Sequence, residues 1–358
     1  MQKDIKTVFF KINDTSDGQK ELELAGKMIR EGGLVAFPTE TVYGLGGNAL
    51  DPSASERIYK AKGRPSDNPL IVHISSTEEI YPLVSELPKT AVSLMEAFWP
   101  GPMTLVLKKS DVVPATTTGG LSTVAIRMPS HPVARALIKA AGVPIAAPSA
   151  NSSGRPSPTK AVHVLEDLDG KVDMIIDGGE SDIGLESTII DLTGDTPEIL
   201  RPGYISEEEI KKAVGSVKQD PALFARPDAD AAPKAPGMKY RHYAPKAKMF
   251  LIKGNKKAAL AEMQRQAQKA EKEGKKVGIL CEKEDAALFE KYSCFVLCEN
   301  ENEEEIAHRL FSLLRETDKA QIDVLFSLSY KKGRLGDAIE NRMLKAAGYN
   351  VLEAKDEL

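Results

Sequence analysis

A short apolar run, Leu34 to Phe37, stops at Pro38, and small hydroxyls and glycines take over from there to Gly47. Such a run between turn formers reads as a buried strand, and a strand buried on both faces needs helices to cover it. The flanking segments supply them. Glu21 to Glu31 carries Leu22, Leu24, Ala25, Met28 and Ile29 at helical spacing before Gly32 and Gly33. The next helix is punctuated by Asp51 as N-cap, Pro52 at its first position and Gly63 just past its end. The same alternation continues to Val214, so this part of the chain is α/β. Proteins of that class bind ligands beyond the carboxyl ends of their strands. Gly44, Gly46 and Gly47 read as an irregular lip there, letting backbone N–H groups approach a bulky or anionic group.

At 358 residues the chain is too long for one typical core. Composition shifts between Pro221 and Lys248, where no apolar period survives. We therefore expect a first domain over 1–217, a linker over 218–247 that folds over the site, and a second domain over 248–358. The second domain reads as regular alternation, with strands at 249–252, 276–281, 294–297, 322–326 and 350–352 and helices at 255–273, 284–291, 302–316 and 335–347. That implies a small Rossmann-like parallel sheet flanked by helices. A net charge of −4 gives no global attraction to nucleic acid. Cys281, Cys294 and Cys298 cannot all pair, and they read as reduced thiols of a cytoplasmic protein. No leader-like or membrane-spanning run is visible. The final Lys355-Asp-Glu-Leu358 spells a retention signal that nothing else in the chain supports.

Chemistry concentrates at the strand ends. Thr39 and Thr41 offer hydroxyls after the first of them, and Ser149 and Asn151 repeat the pattern after Val143 to Ala147. Lys62 and Arg64 leave the capped helix together, a cation pair suited to phosphate. Arg127 sits among apolar neighbours in Thr123 to Pro129, where an unpaired charge is costly, so it calls for an anionic partner. His73 on its apolar strand reads by default as a satisfied core histidine. Gly44-Leu-Gly-Gly-Asn-Ala49 spells a dinucleotide fingerprint but lacks the strand–turn–helix setting, and no P-loop is present. No metal-ligand spacing and no covalent nucleophile are legible, so any Mg2+ arrives with a nucleotide.

These runs, taken in order, resemble the YrdC-like family of threonylcarbamoyl-AMP synthases. The resemblance rests on Pro38-Thr-Glu-Thr-Val-Tyr-Gly-Leu45, Lys62-x-Arg-Pro, Asn68-Pro-Leu, Gly101-Pro-x-Thr, Ala125-Ile-Arg-x-Pro129, Pro148-Ser-Ala-Asn151 and Ser187-Thr-Ile. Arg201-Pro-Gly203 and Pro236-Gly-Met-Lys-Tyr-Arg-His-Tyr-Ala-Pro245 match its long, two-domain form. It implies a twisted mixed sheet with a concave pocket, and a nucleotidyltransferase that makes threonylcarbamoyl-AMP and pyrophosphate from L-threonine, bicarbonate or CO2, and ATP. The product would feed threonylcarbamoyladenosine formation in ANN-decoding tRNAs through a downstream transferase. By resemblance, Thr41, His73, Arg127, Ala147 and Ser187 lie at threonine. Arg64, Asn68, Thr123, Ser149, Asn151, Ser157, Arg201 and Tyr243 lie at ATP, with Lys62 and Arg64 catalytic. The alternative is a tRNA- or double-stranded-RNA-binding module without turnover, its basic surface extended by Lys239, Arg241, Lys246 and Lys248.

Overall fold

The computed structural model describes residues 5–226, 233, 235, 242–299 and 301–355. By contacts the chain forms two units, residues 1–153 with 157–240, and residues 154–156 with 241–358. The first unit runs β1 (Val8–Lys11), α1 (Gln19–Arg30), β2 (Val35–Phe37), β3 (Gly44–Asn48), α2 (Pro52–Lys62), β4 (Ile71–His73), α3 (Lys89–Phe98), β5 (Met103–Lys108), β6 (Thr123–Arg127), α4 (Pro132–Ala141), β7 (Ile145–Ala146), α5 (Ala161–Leu168), β8 (Met174–Asp177), β9 (Thr188–Asp191), β10 (Glu198–Arg201), α6 (Glu207–Val214) and β11 (Lys218–Gln219). Its strands make one 11-stranded mixed sheet in the order β1-β8-β2-β3-β7-β4-β6-β5-β9-β10-β11. The expected mixed α/β architecture is what the chain adopts.

The glycine lip is a correction. Gly44–Asn48 is a strand, antiparallel to β2 with Val35 opposite Gly46. Without side chains the run shows no alternation, which is why it reads as irregular. The glycines serve packing: a Cβ on Gly46 would lie 2.7 Å from Ile145 Cγ2 and 2.8 Å from Phe37 Cε1. Only a bare backbone fits between β2 and β7.

α2 forms as its punctuation predicts. The Asp51 carboxylate accepts from Ser53 N at 2.9 Å, Pro52 occupies the first turn, and Gly63 closes the helix at φ 62°. The last residue of the helix, Lys62, is thereby fixed at its C-terminus. A large cluster including Leu45, Val72, Leu105, Ile126 and Ile190 packs on one side of the sheet, and α1 and α4 cover another part through Ala25, Ile29, Leu137 and Ile138. A third patch, Ile71, Val106, Ala125, Ile189 and Leu200, is joined by the fully buried Ala235. The expected linker therefore contributes to the first unit: residues 218–219 are β11, paired with β10, and Ala235 packs on the sheet. The linker residues Lys239, Tyr240 and Arg241, like Asp356 to Leu358, lie outside the described residues.

The second unit runs β12 (Lys248–Lys253), α7 (Lys256–Lys272), β13 (Val277–Cys281), β14 (Ser293–Val296), α8 (Glu303–Lys319), β15 (Val324–Leu328), α9 (Gly336–Ala346) and β16 (Val351–Glu353). Its sheet is all parallel, in the order β14-β13-β15-β12-β16. The helix expected over 284–291 is a 3-10 turn, Lys283–Phe289. The core joins Ala259, Met263 and Ala267 of α7 to Ile279, Val324 and Phe326. Among the described residues no helix is long and apolar enough to cross a membrane.

Candidate functional site

The residues expected around an amino acid come together at one region of the large sheet. Thr41, His73, Arg127, Ala147 and Ser187 are all more than nine-tenths buried. β4 and β6 are parallel with His73 opposite Arg127, and Ala147 N donates to Ile71 O at 2.8 Å. Arg127 Nη1 donates to Thr41 Oγ1 at 2.8 Å, and Thr41 Oγ1 lies 2.9 Å from Thr39 Oγ1. On the other side of Arg127, β5 places Thr104 opposite it, and Thr104 Oγ1 lies 2.7 Å from Ser187 Oγ. Arg201 reaches the same serine, Nη2 to Oγ at 3.1 Å and Nε to its carbonyl at 3.0 Å. The turn after Arg201 presses on that strand start, since a Cβ on Gly203 would come within 2.4 Å of Thr188 N.

Arg127 already has an acid beside it. Its Nη2 lies 2.7 Å from Glu40 Oε1, with side chains 5% and 7% exposed. The anion that an arginine among apolar residues requires is thus present within the chain, inside the Pro38 to Leu45 motif. Burial pushes the Glu40 pKa up, but the Arg127 charge, together with hydrogen bonding from Arg127 and from the backbone of Glu40 and Ser130, outweighs this and holds the carboxyl below its ordinary value. His73 behaves oppositely. Burial, then the neighbouring Arg127 charge, lowers its pKa to about 3. Its Nδ1 lies 3.1 Å from Ile71 O, and because a carbonyl only accepts, Nδ1 carries the proton of a neutral ring.

Several of the residues expected at a nucleotide are also joined to one another. Lys62 Nζ donates to the carbonyls of Ser149 and Asn151 and lies 3.4 Å from Asn151 Oδ1. The helix end and the second polar strand end thus meet, and Ser149 Oγ donates to Asn151 Oδ1 at 2.6 Å. β3 touches the same loop through a bridge between Gly44 and Ser149. Arg64 is held over the start of β4 by the carbonyls of Asn68, at 3.3 Å, and Pro69, at 3.0 Å. Asn68 is buried, and its Oδ1 has no hydrogen-bond partner among the described residues. Ser157 Oγ donates to Glu186 Oε1 at 2.6 Å, next to Ser187.

Two further residues are expected at the nucleotide. Thr123 begins β6 opposite Lys108, at the far end of the strand from Arg127, about 13 Å along it at strand rise. Tyr243 belongs to the second unit, where its ring lies 5.0 Å from that of Phe311 and 5.9 Å from the Arg342 guanidinium, with φ 62°. Thr104, Glu40 and Glu186 were missed. Thr104 closes the quoted Gly101-Pro-x-Thr motif, and Glu40 and Glu186 directly precede Thr41 and Ser187, so the signal was membership of a motif or adjacency to one of its residues.

The second unit has a cavity of about 150 Å³ lined by Ile252, Lys256, Glu282, Leu328 and Tyr330. Its Lys256 is bound to Glu282 at 2.6 Å, and Asp285 adds a contact at 3.4 Å. The three cysteines are free thiols, and burial raises Cys281 to about 12 and Cys298 to about 11. They are therefore protonated, unlike reactive thiolates.

A family model described as "Telomere recombination" matches residues 27–203, and one described as "Threonylcarbamoyl-AMP synthase, C-terminal domain" matches residues 205–348. The threonylcarbamoyl-AMP synthase of Pyrococcus abyssi (strain GE5 / Orsay) is 50% identical over 333 residues, covering 93% of this chain and 96% of that protein. The Bacillus subtilis (strain 168) threonylcarbamoyl-AMP synthase is 43% identical over 341 residues, 95% of this chain and 96% of that one. A crystal structure of P. abyssi Sua5 complexed with L-threonine superposes with a TM-score of 0.90 at 47% identity, covering 98% of this chain and 99% of the other.

Proposed function

Since the chain belongs to the threonylcarbamoyl-AMP synthase family, we propose that its buried sheet pocket takes L-threonine and its cationic rim takes ATP. The reaction gives threonylcarbamoyl-AMP and pyrophosphate. The observation that carries this reading is the continuous line from Thr41 through Arg127 and Thr104 to Ser187 and Arg201, which ties a buried cluster of hydroxyls around one arginine to a second cation suited to phosphate.

In this reading the threonine carboxylate lies at Arg127, and Ser187 and Thr41 supply hydroxyls for the substrate's own hydroxyl, which discriminates against analogues lacking it. Threonine ammonium and bicarbonate condense to the carbamate with loss of water and a proton. A carbamate oxygen then bonds to the α-phosphorus while the bond to the pyrophosphate oxygen breaks. No side chain becomes covalent, so catalysis is positioning plus electrostatics. Lys62 and Arg64 act on the phosphates as catalytic cations. Asn68, Thr123, Ser149, Asn151, Ser157, Arg201 and Tyr243 hold the nucleotide. No group of three or more His, Cys, Asp or Glu able to hold a metal occurs among the described residues. The side chains assigned to the nucleotide are cations, hydroxyls, amides and a tyrosine, which suits Mg2+ that would enter with ATP and help neutralise its phosphates.

The carbamate is short-lived in water, and burial of Ala235 on the patch around Ile71 and Ala125 supports a linker that closes the pocket. The product passes to a transferase that modifies the adenosine beside the anticodon of ANN-decoding tRNAs. Release of pyrophosphate from ATP is expected to require both threonine and bicarbonate. Lys62→Ala and Arg64→Ala should each lower it about 100-fold or more in folded protein, the scale of a lost transition-state contact. Pyrophosphate release unchanged without threonine would refute the assignment. Tight, salt-sensitive tRNA binding without turnover would favour an RNA-binding module instead.

A further inference from the structure

Arg127 is gripped by two consecutive residues of the loop after β2. Glu40 meets Nη2 at 2.7 Å and Thr41 meets Nη1 at 2.8 Å, while Gly101 O accepts from Nε at 3.3 Å. A guanidinium has more N–H groups than these partners occupy, so each outer nitrogen keeps a donor for something else. Both Glu40 oxygens are buried without a well-angled hydrogen bond among the described residues, so charge is the main tie within the pair. Among the side chains assigned to threonine and the Glu40 that pairs with them, charge also sums to zero. Thr41, Ala147 and Ser187 are uncharged, His73 is neutral, and Glu40 cancels Arg127. Beside Ser187, Arg201 and Glu186, both buried, add one charge of each sign, while Lys62 and Arg64 stand farther out among the residues assigned to the nucleotide. Burial keeps the nearby His131 imidazole below its ordinary pKa, so it adds no cation at neutral pH.

Resting on the threonine reading, we propose that Glu40 is a positioning and specificity-determining residue. It fixes Arg127 in a single pose with donors to spare, and it neutralises the pocket so that a zwitterionic α-amino acid is accepted and a monoanion of the same size is rejected. A lone buried guanidinium would favour any small carboxylate. The Glu40–Arg127 pair favours a ligand that brings its own opposite charge, because a net-charged ligand would leave one buried charge uncompensated.

The test compares wild type with Glu40→Gln, which keeps shape and removes charge, and with Glu40→Asp, which keeps charge and shortens the stem. Calorimetric binding is measured without ATP for L-threonine and for 2,3-dihydroxybutanoate, threonine with a hydroxyl in place of its ammonium. Glu40→Gln is expected to weaken threonine binding about 10-fold or more and to tighten dihydroxybutanoate at least about 5-fold, with the KM for ATP within about twofold of wild type. Glu40→Asp should restore rejection of dihydroxybutanoate and recover part of the threonine affinity. A plain structural ion pair predicts otherwise: both ligands bind within about twofold of wild type and only the thermal midpoint falls. That result overturns the proposal, and if Glu40→Gln does not fold, Glu40→Asp admitting dihydroxybutanoate overturns it equally. Wild type that fails to bind threonine refutes the functional reading itself, before either variant is considered.

Discussion

His73 shows how a single buried group records its surroundings. Its folded pKa of about 3 lies well below the ordinary 6.5. Between those values the unfolded chain binds the extra proton. Its contribution to stability is therefore whole above pH ~6.5 and is lost as pH falls toward ~3. At pH ~5 the loss amounts to about 2 kcal/mol, at 1.36 kcal/mol per unit. Wild type should accordingly lose several degrees more of thermal midpoint between about pH 7 and pH 5 than His73→Gln, followed by differential scanning fluorimetry. Parallel slopes would mean that the imidazole is not desolvated. Arg127 teaches the complementary lesson. The need for an anion was legible from an arginine among apolar residues, but which anion was not, because Glu40 and Arg127 are distant in sequence and meet only through the sheet.

At the scale of elements, the capped helix α2 and the linker do different work. The Asp51 cap and Gly63 closure are local, and they place Lys62 at a helix end without help from the rest of the chain. The burial of Ala235 depends on the patch formed by four strands and Leu200 of a fifth. Ala235→Glu would force a charge into that patch, and the side chain would leave it rather than stay unpaired. Turnover should fall about 10-fold or more while the thermal midpoint of the first unit changes little, measured by pyrophosphate release beside a melting curve. Equal loss of both would make the segment packing alone. β3 is the element that sequence reading misjudged. Its glycines hide the strand from a reading by alternation, and Gly46 makes room for Ile145 and Phe37.

At the scale of the whole molecule, the two units bury separate cores, one around Leu105 and Ile126 and the other around Phe326 and Met263. Separate cores predict separate melting. Phe326→Ala should cost the second unit about 3–5 kcal/mol through the cavity it leaves, moving one calorimetric transition and leaving the other in place. A single transition that shifts as a whole would show the cores to be coupled. The sequence alone determined the alternation of helix and strand, the helix caps and the polar strand ends, because each is written in residues close along the chain. Only the tertiary structure decided that Glu40 answers Arg127, that Thr104 and Arg201 converge on Ser187, and that Ala235 lies on the sheet. Those contacts join residues far apart in sequence, and strand order and register, not local propensity, fix which of them meet.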